Sequence, residues 1–152
     1  MTKQSARNKM MDLLARRDHS EKELRQKLKR AKFSPEEIDK AIQYGKENNW
    51  LPDTAEKALG LSDRTADSLH RKKKGILFIN SYLAEKGLPE VQSNPDLELE
   101  KALNLIENKY SFSDQLDREE KEKLKSKIGR FLISRGFETS IVRKVLYEKL
   151  RN

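Results

Sequence analysis

The chain has 152 residues, of which 35% are hydrophobic and 38% are charged, and its formal net charge at pH 7 is +8. This balance excludes a large single core and favours small helical units that each bury one narrow apolar stripe. The absence of cysteine excludes disulfide bonds and cysteine-based zinc sites, while the positive charge favours an anionic partner.

The N-terminal segment "MTKQSARNKMMDLLARR" is basic and lacks the apolar core of a signal peptide. No apolar run approaches the roughly 18 residues that a membrane span needs. We therefore expect a cytoplasmic protein that does not enter a membrane. Within this segment, Ala6, Met10, Leu13 and Leu14 follow a period of 3.6 residues, which predicts the first helix.

Two further helix starts follow in close succession. Ser20 with Glu23 and Ser34 with Glu37 have the spacing of a capping box, in which the two side chains satisfy backbone N–H groups at a helix start. The predicted inward stripe of the first of these helices consists of Leu24, Leu28 and Ala31. The sequence therefore predicts a tight helix–turn–helix arrangement.

The middle of the chain is less regular. "GILFI" (75–79) is the only short strand-like run, but Ile79 and Leu83 have helical spacing, so we interpret the run as a helix start. "LPEVQSNP" leaves little room for a second helix, and Asn94 before Pro95 marks the next start. We expect another helix to begin at Ser113 or Asp114. The stripes predicted for these last helices are Leu99, Leu103 and Ile106, then Leu124, Ile128, Phe131 and Leu132.

An internal repeat links these elements. Leu28 and Leu132 are each followed five residues later by a phenylalanine, which we expect to fill the turn of a helical hairpin. Gly87 and Gly136 occupy equivalent places before the turn, where a left-handed backbone favours glycine, and Lys32 occupies that place in the first copy. The predicted fold is all-α, an elongated array of tandem three-helix, helix-turn-helix-like repeats at 1–50, 51–94 and 95–152, with the middle repeat irregular.

Catalytic chemistry is not indicated. His19 and His70 are isolated from other metal ligands, and we expect His19 to be a solvent-facing turn residue. The glycines form neither a Walker A loop nor a dinucleotide fingerprint. Trp50 fits either a core position that closes the first unit or a surface for stacking a base, and the junction before Leu51 favours the core. We predict a protein that is not an enzyme and needs no cofactor.

The basic residues form clusters. "HRKKKG" (70–75) is the densest, and it fits either a solvated linker or a run of cations that meets phosphates or carboxylates. Charge complementarity at helix ends explains the order of the cations near residue 25 but not their number. The predicted binding residues are Arg17, Lys22, Arg25, Lys29, Arg30, Arg71, Lys72, Lys73, Lys74, Arg130, Arg135, Arg143 and Lys144.

Several segments carry a recognisable combination of motifs. They are "LLARRDHSEKELRQKL" with "FSPEEIDKAIQYGKENNWLPD", then "GILFINSYLAEKGL", then "GRFLISRGF" with "IVRKVL". Together these segments resemble the RecX family of bacterial regulatory proteins. The positions that match the family are Arg17, His19, Ser20, Leu24, Arg25, Leu28, Gly75, Gly87, Arg135 and Gly136. The middle differs, because Ile76 and Phe78 stand where family members have a Gly-Tyr-Gly-Pro-like entrance followed by an arginine.

The resemblance implies a regulator that lies in the groove of a RecA filament on single-stranded DNA and inhibits ATP hydrolysis, strand exchange and coprotease activity. It implies roles in DNA repair, recombination and the SOS response. The expected partners are the RecA filament, single-stranded DNA and, as a further ligand, duplex DNA, and we expect a monomer. The alternative is a stand-alone helix-turn-helix protein that reads duplex DNA. The acidic start of the helix after Ser34 disfavours it, because carboxylates would face phosphates.

Overall fold

The computed structural model describes residues 4–151, which form eight α-helices and no strand. In chain order these are α1 (Ala6–Arg16), α2 (Glu21–Arg30), α3 (Pro35–Glu47), α4 (Ala55–Arg71), α5 (Ile76–Glu85), α6 (Pro95–Lys109), α7 (Arg118–Ser134) and α8 (Thr139–Leu150). The all-helical class predicted from the 3.6-residue period is confirmed. No helix in residues 4–151 is both long enough and apolar enough to cross a membrane.

Side-chain caps define most helix starts. Both predicted capping boxes are present, with Ser20 and Glu23 at α2 and with Ser34 and Glu37 at α3. Asn94 caps α6 as expected. The start predicted at Ser113 or Asp114 is wrong. Ser113 only closes a local turn, and α7 begins at Arg118 because the side chain of Asp117 accepts a hydrogen bond from the backbone N–H of Glu120.

The three helices that the repeat relates, α2, α5 and α7, end in the same way. Lys32, Gly87 and Gly136 all have positive φ values, of 68°, 72° and 93°. The next residue's N–H then donates to the carbonyl of the leucine five positions earlier, at 3.2 Å for Phe33, 2.8 Å for Leu88 and 3.1 Å for Phe137. This is the hydrogen bond of a Schellman motif. The three leucine-anchored turns inferred from the repeat are therefore present in the fold.

The chain divides into two compact units. The N-terminal unit comprises the chain up to Thr65 together with Leu83–Glu90, and the C-terminal unit comprises Ala66–Tyr82 together with the chain from Val91 onward. In the N-terminal unit α1, α2 and α3 pack on one another, and in the C-terminal unit α8 packs on both α6 and α7. The division into three sequence repeats stays a prediction.

Each of these helical bundles has an apolar core. The buried core residues of the N-terminal unit are Ala6, Met10, Leu13, Leu24, Leu28, Phe33, Ile38, Ala41, Ile42 and Leu51. Those of the C-terminal unit are Ala102, Ile106, Ile128, Leu132, Phe137, Ile141, Val142, Val145 and Leu150. Phe33 and Phe137 thus fill the hairpin turns, as the repeat predicts.

Two expectations for the N-terminal core are wrong. Ala31 is exposed, because α2 ends at Arg30 and the residue belongs to the turn. Trp50 is 40% exposed and packs edge-on against Tyr44, with ring centroids 5.3 Å apart. Leu51, which is only 2% exposed, closes the core in its place.

Candidate functional site

The basic surface of α2 contains three uncommitted cations. Lys22, Lys29 and Arg30 are exposed, and none of them forms an ion pair within residues 4–151. They lie on the helix that the Ser20 cap starts and that Leu24 and Leu28 attach to the core. Exposed, unpaired ammonium and guanidinium groups are available to phosphates or to carboxylates of another molecule.

Arg25 has intramolecular partners. Its Nε lies 3.2 Å from Oε2 of Glu21, and its Nη1 lies 2.7 Å from Oδ1 of Asp39. The hydrogen bond to Asp39, together with Glu21, raises the pKa of Arg25 above its usual value. Lys46 also bonds to Glu21 at 2.6 Å. Arg25 therefore connects α2 with α3 and is less available to a partner than its neighbours on α2.

Arg17 belongs to the turn between α1 and α2. Its guanidinium lies 2.7 Å from Oε2 of Glu23, a buried carboxylate that also caps the backbone N–H of Ser20. Burial alone would raise the pKa of Glu23. The hydrogen bonds from Arg17 and Ser20 and the charges of Arg17 and Lys86 outweigh burial and bring that pKa to about 2. The carboxylate of Glu23 is therefore ionised at neutral pH, and its contacts hold this turn together.

The expectation that His19 faces solvent is wrong. The side chain is 3% exposed, its Nδ1 lies 2.9 Å from the carbonyl oxygen of Arg17, and its Nε2 lies 2.8 Å from Nζ of Lys27. Burial and the nearby cations lower the pKa of His19, so the ring is neutral, donating through Nδ1 and accepting through Nε2. The residue is a structural part of the turn.

The turn between α4 and α5 contains the "RKKK" run. Lys73 has a φ of 59°, and the N–H of Lys74 donates to the carbonyl of Leu69 at 3.1 Å, so this turn repeats the geometry of the three described above. Arg71 and Lys72 are exposed and form no ion pair within the described part of the chain. The linker interpretation predicts a loosely held segment, whereas these residues lie in a hydrogen-bonded turn.

Two buried residues of α6 hold this turn through hydrogen bonds to its backbone. Glu98 is fully buried and accepts a hydrogen bond from the N–H of Ile76 at 2.6 Å, which caps the start of α5. Lys101 is 5% exposed, forms an ion pair with Glu98, and donates to the carbonyl of Lys74 and to Nδ1 of His70, both at 2.7 Å. Burial lowers the pKa values of Lys101 and His70.

Sequence reasoning missed this pair. The predicted stripe of α6 does contact the core, with Ile106 buried and Leu99 and Leu103 partly buried against it. The stripe omits three residues of α6 that are buried, Glu98, Lys101 and Ala102. A signal was present, because Glu98 and Lys101 have the helical spacing of an ion pair and share a face with Ala102 and Ile106. Without knowledge of the tertiary contacts, two charged residues on that face gave no reason to expect the face to be buried.

The turn between α7 and α8 packs against the "RKKK" turn inside the C-terminal unit. Arg135 donates through Nη2 to the carbonyl of Lys72 at 2.8 Å, and its own carbonyl accepts from the N–H of Gly75 at 2.9 Å. A Cβ on Gly75 would lie 2.3 Å from the backbone of Gly136. These glycines are therefore required by close backbone approach, and Arg135 joins the two turns.

The remaining predicted cations divide into two groups. Lys73 bonds to Asn104 and Lys74 lies 4.6 Å from the ring centroid of Phe78, so both have intramolecular contacts. Arg130, Arg143 and Lys144 are exposed and unpaired within the described residues. Among those residues there is also no cluster of three histidine, aspartate or glutamate side chains that could hold a metal ion.

Two family models match the chain. The model described as RecX, first three-helix domain, matches residues 6–44, and the model described as RecX, third three-helix domain, matches residues 96–146. Both matches coincide with helical bundles of the structure, α1 to α3 and α6 to α8.

Similar proteins of known name agree with these matches. Regulatory protein RecX of Actinobacillus pleuropneumoniae serotype 5b (strain L20) is 31% identical over 137 residues, covering 90% of this chain and 87% of that protein. Regulatory protein RecX of Haemophilus influenzae (strain 86-028NP) is 31% identical over 140 residues, covering 87% and 86%. The crystal structure of RecX from Lactobacillus salivarius has the same fold, with a TM-score of 0.67 and 21% identity over 94% of this chain and 93% of that one.

Proposed function

The chain belongs to the RecX family of regulatory proteins, and from that premise we propose that it regulates the RecA recombinase by binding RecA filaments on single-stranded DNA. The protein lies in the filament groove in the cytoplasm and inhibits ATP hydrolysis, strand exchange and coprotease activity. It does so by binding alone, as a monomer, without catalysis or a cofactor.

The "RKKK" turn is the observation on which this proposal chiefly rests. Arg71 and Lys72 are exposed, while the backbone beneath them is held by Lys101 and Arg135. A turn that is already ordered loses less conformational freedom on binding than a flexible linker would. Two exposed cations on an ordered backbone therefore suit a partner with regularly spaced negative charges, as a nucleoprotein filament has.

The free cations of α2 support the same proposal from the N-terminal unit. Lys22, Lys29 and Arg30 exceed what the negative end of a helix requires, and Glu21 and Glu23 already satisfy its positive end. Their charges remain available for DNA phosphates or for acidic side chains of the recombinase.

We propose that the three sequence repeats, 1–50, 51–94 and 95–152, are the evolutionary and binding modules of the chain. The positive φ values of Lys32, Gly87 and Gly136 and the leucine-anchored hydrogen bonds after them support this division. In the middle repeat Ile76 is buried and Phe78 lies beside Lys74. The "RKKK" run there takes the place of the cations that other members have at the entrance of the repeat.

The second candidate is a stand-alone helix-turn-helix protein that reads duplex DNA. A recognition helix places its N-terminal residues against base edges. The first turn of α3 contains Glu36 and Glu37, both exposed, and the N-cap of α8 is Glu138. Carboxylates at these positions would be repelled by phosphates, so the filament is the better supported partner.

Co-sedimentation tests the binding step and separates the two candidates. RecA assembled on single-stranded DNA with a non-hydrolysable nucleotide is pelleted with increasing amounts of the protein, and bare duplex DNA is used in parallel. Saturable pelleting with the filament, beyond that with bare DNA, supports the proposal. Tight binding to duplex of one particular sequence, with no filament binding, would support the second candidate instead.

A further inference from the structure

A groove in the C-terminal unit lies outside the turns described so far. Its lining consists of Lys125 from α7 and Arg143, Leu146, Tyr147, Leu150 and Arg151 at the end of the chain. The five residues from Arg143 to Arg151 are spaced three and four positions apart, so they share one face of α8 and of the residue after it. Helix α7 packs directly against α8. Lys125 forms the opposite wall.

The ring of Tyr147 is available to another molecule. Its side chain is 65% exposed, the most exposed of the large hydrophobic residues among residues 4–151. Tyr110, by contrast, packs edge-on against Phe131 with ring centroids 6.2 Å apart. Leu150 is buried and Leu146 half-buried, and these two form the apolar floor beside the ring. Tyr147 therefore contributes little to the core and leaves an aromatic face in contact with solvent.

The polar lining of this groove is cationic. Arg143 is exposed and has no ion pair within the described residues, and the guanidinium of Arg151 lies 5.6 Å from the ring centroid of Tyr147. Lys125 reaches Glu122 at 3.4 Å, a long contact with an exposed partner that is not part of the lining. The groove thus presents three cations around one aromatic ring and has no carboxylate in its lining.

We propose that this groove is a subsite for one nucleotide of a single-stranded nucleic acid. The base stacks on Tyr147, and Lys125, Arg143 and Arg151 contact the phosphates on either side. Aromatic rings beside cations bind single strands in this way, because every base has a planar face and every linkage has a negative charge. A duplex keeps its bases stacked internally, and an acidic peptide would need the cations but not the ring.

This inference deepens the proposed function, and it rests on the part of that proposal that includes single-stranded DNA. The test therefore uses the full chain with DNA alone, so that the subsite and the filament can fail separately. A fluorescein-labelled oligothymidylate is the probe, and fluorescence anisotropy gives its affinity in the absence of RecA.

The ring is tested with two substitutions at one position. Tyr147→Ala should weaken binding of the oligothymidylate about tenfold, which matches the loss of one base–aromatic stacking contact. Tyr147→Phe keeps the ring and should restore affinity to near that of the unchanged chain. Because the side chain is largely exposed, both variants should unfold at the same urea concentration as the unchanged chain. Equal weakening by both substitutions would overturn the stacking role.

The cations are tested through the salt dependence of binding. Arg143→Gln should reduce the slope of log affinity against log salt by about 0.7, which is expected for one lost phosphate contact on a single strand. Arg118→Gln removes the same charge from an exposed position on α7 outside the groove and should change the slope by less than half as much. Equal changes of the slope in the two variants would show that the cations act only through the net charge of the protein, and would overturn the inference.

Two further results are decisive. The Tyr147→Ala substitution is also tested with poly-L-glutamate as the ligand. If it weakens the binding of poly-L-glutamate as much as that of the oligothymidylate, the groove binds acidic peptides and the inference is wrong. If Tyr147 affects oligothymidylate binding but the protein does not bind RecA filaments, the subsite stands and the proposed function fails. If the protein binds RecA filaments but Tyr147→Ala does not change its affinity for bare DNA, the proposed function stands and the subsite is wrong.

Discussion

Glu98 and Lys101 lie one turn apart on α6 and bond to the same inter-helix turn, at backbone groups on either side of Gly75. Glu98 accepts from the N–H of Ile76, the first residue of α5, while Lys101 donates to the carbonyl of Lys74 in the turn and to Nδ1 of His70 in the last turn of α4. A buried carboxylate thus satisfies a positive helix start, and a buried ammonium satisfies a carbonyl of the turn that precedes this start. The pair fixes the backbone of the "RKKK" turn while leaving Arg71 and Lys72 exposed.

Removing the carboxylate should destabilise the C-terminal unit strongly. Glu98→Ala leaves the ammonium of Lys101 buried without its counter-ion and the N–H of Ile76 without its acceptor. We expect the free energy of unfolding to fall by about 3–5 kcal/mol, as for other buried pairs that lose one partner. Urea unfolding followed by circular dichroism measures this. Glu100→Ala, at an exposed position of the same helix, should cost well under 1 kcal/mol, and similar losses in both variants would contradict the account.

Two glycines should respond in opposite directions to alanine. A Cβ on Gly136 would lie 2.4 Å from the backbone nitrogen of Phe78, at a φ of 93°, so Gly136→Ala should cost several kcal/mol or prevent folding. Gly60 lies inside α4, where a Cβ would meet only Arg64 at 3.7 Å. Gly60→Ala should therefore stabilise the protein by about 0.5–1 kcal/mol. Thermal unfolding of the two variants checks both signs, and tolerance of Gly136→Ala would refute the close approach of the two turns.

Local features could be predicted from the sequence, because the atoms that determine them are near neighbours in the chain. The capping boxes at Ser20 and Ser34 consist of residues only three positions apart. The start of α7 was predicted wrongly although it is a local feature. Ser113 and Asp117 both have side chains that can cap a helix, and the sequence does not show which of them precedes α7.

Features that depend on distant partners could not be predicted. His19 is buried because Lys27 and the carbonyl of Arg17 satisfy its ring, and an isolated histidine before a cap gives no sign of this. Arg135 is predicted as a binding residue from its charge, its place beside the core stripe and its match to the family. The structure shows its guanidinium bonded to the carbonyl of Lys72, which lies 63 positions earlier in the chain.

The two histidines should make stability depend on pH. Each accepts a hydrogen bond from an ammonium, His19 from Lys27 and His70 from Lys101, and an imidazolium cannot accept one. Burial first, and nearby cations second, lower both pKa values below the ordinary 6.5. The unfolded chain therefore binds more protons, so the free energy of unfolding falls as the pH drops below about 6.5, by at most about 1.4 kcal/mol per unit for each histidine.

Substitution of one histidine tests the cause of this pH dependence. In His70→Gln the amide oxygen can still accept from Lys101 but does not titrate. Urea midpoints at about pH 7.5 and pH 5.5 should then differ less than in the unchanged chain. A variant that keeps the full difference would show that His70 is not neutral in the folded state.

The cations of the "RKKK" turn should contribute unequally to binding. Arg71→Gln with Lys72→Gln should weaken affinity for RecA filaments roughly tenfold at moderate salt. Without these two cations, binding releases fewer counterions from the DNA. Lys73→Gln with Lys74→Gln should weaken it less, since those side chains contact Asn104 and Phe78. Co-sedimentation measures both.

A charge-matched pair on α7 is the control for that experiment. Arg118→Gln with Lys127→Gln removes the same charge from exposed positions outside the turn and should leave affinity near that of the unchanged chain. Unchanged affinity in the Arg71 and Lys72 variant at moderate salt would remove the turn from the binding surface.

ATP hydrolysis by RecA on single-stranded DNA, followed while the protein is titrated in, tests the central claim most directly. The account predicts that the rate falls with increasing protein to a low plateau, and that the variant with Arg71→Gln and Lys72→Gln needs a higher concentration to reach it. An unchanged rate at an excess of the protein over RecA would contradict the claim that this chain inhibits the filament.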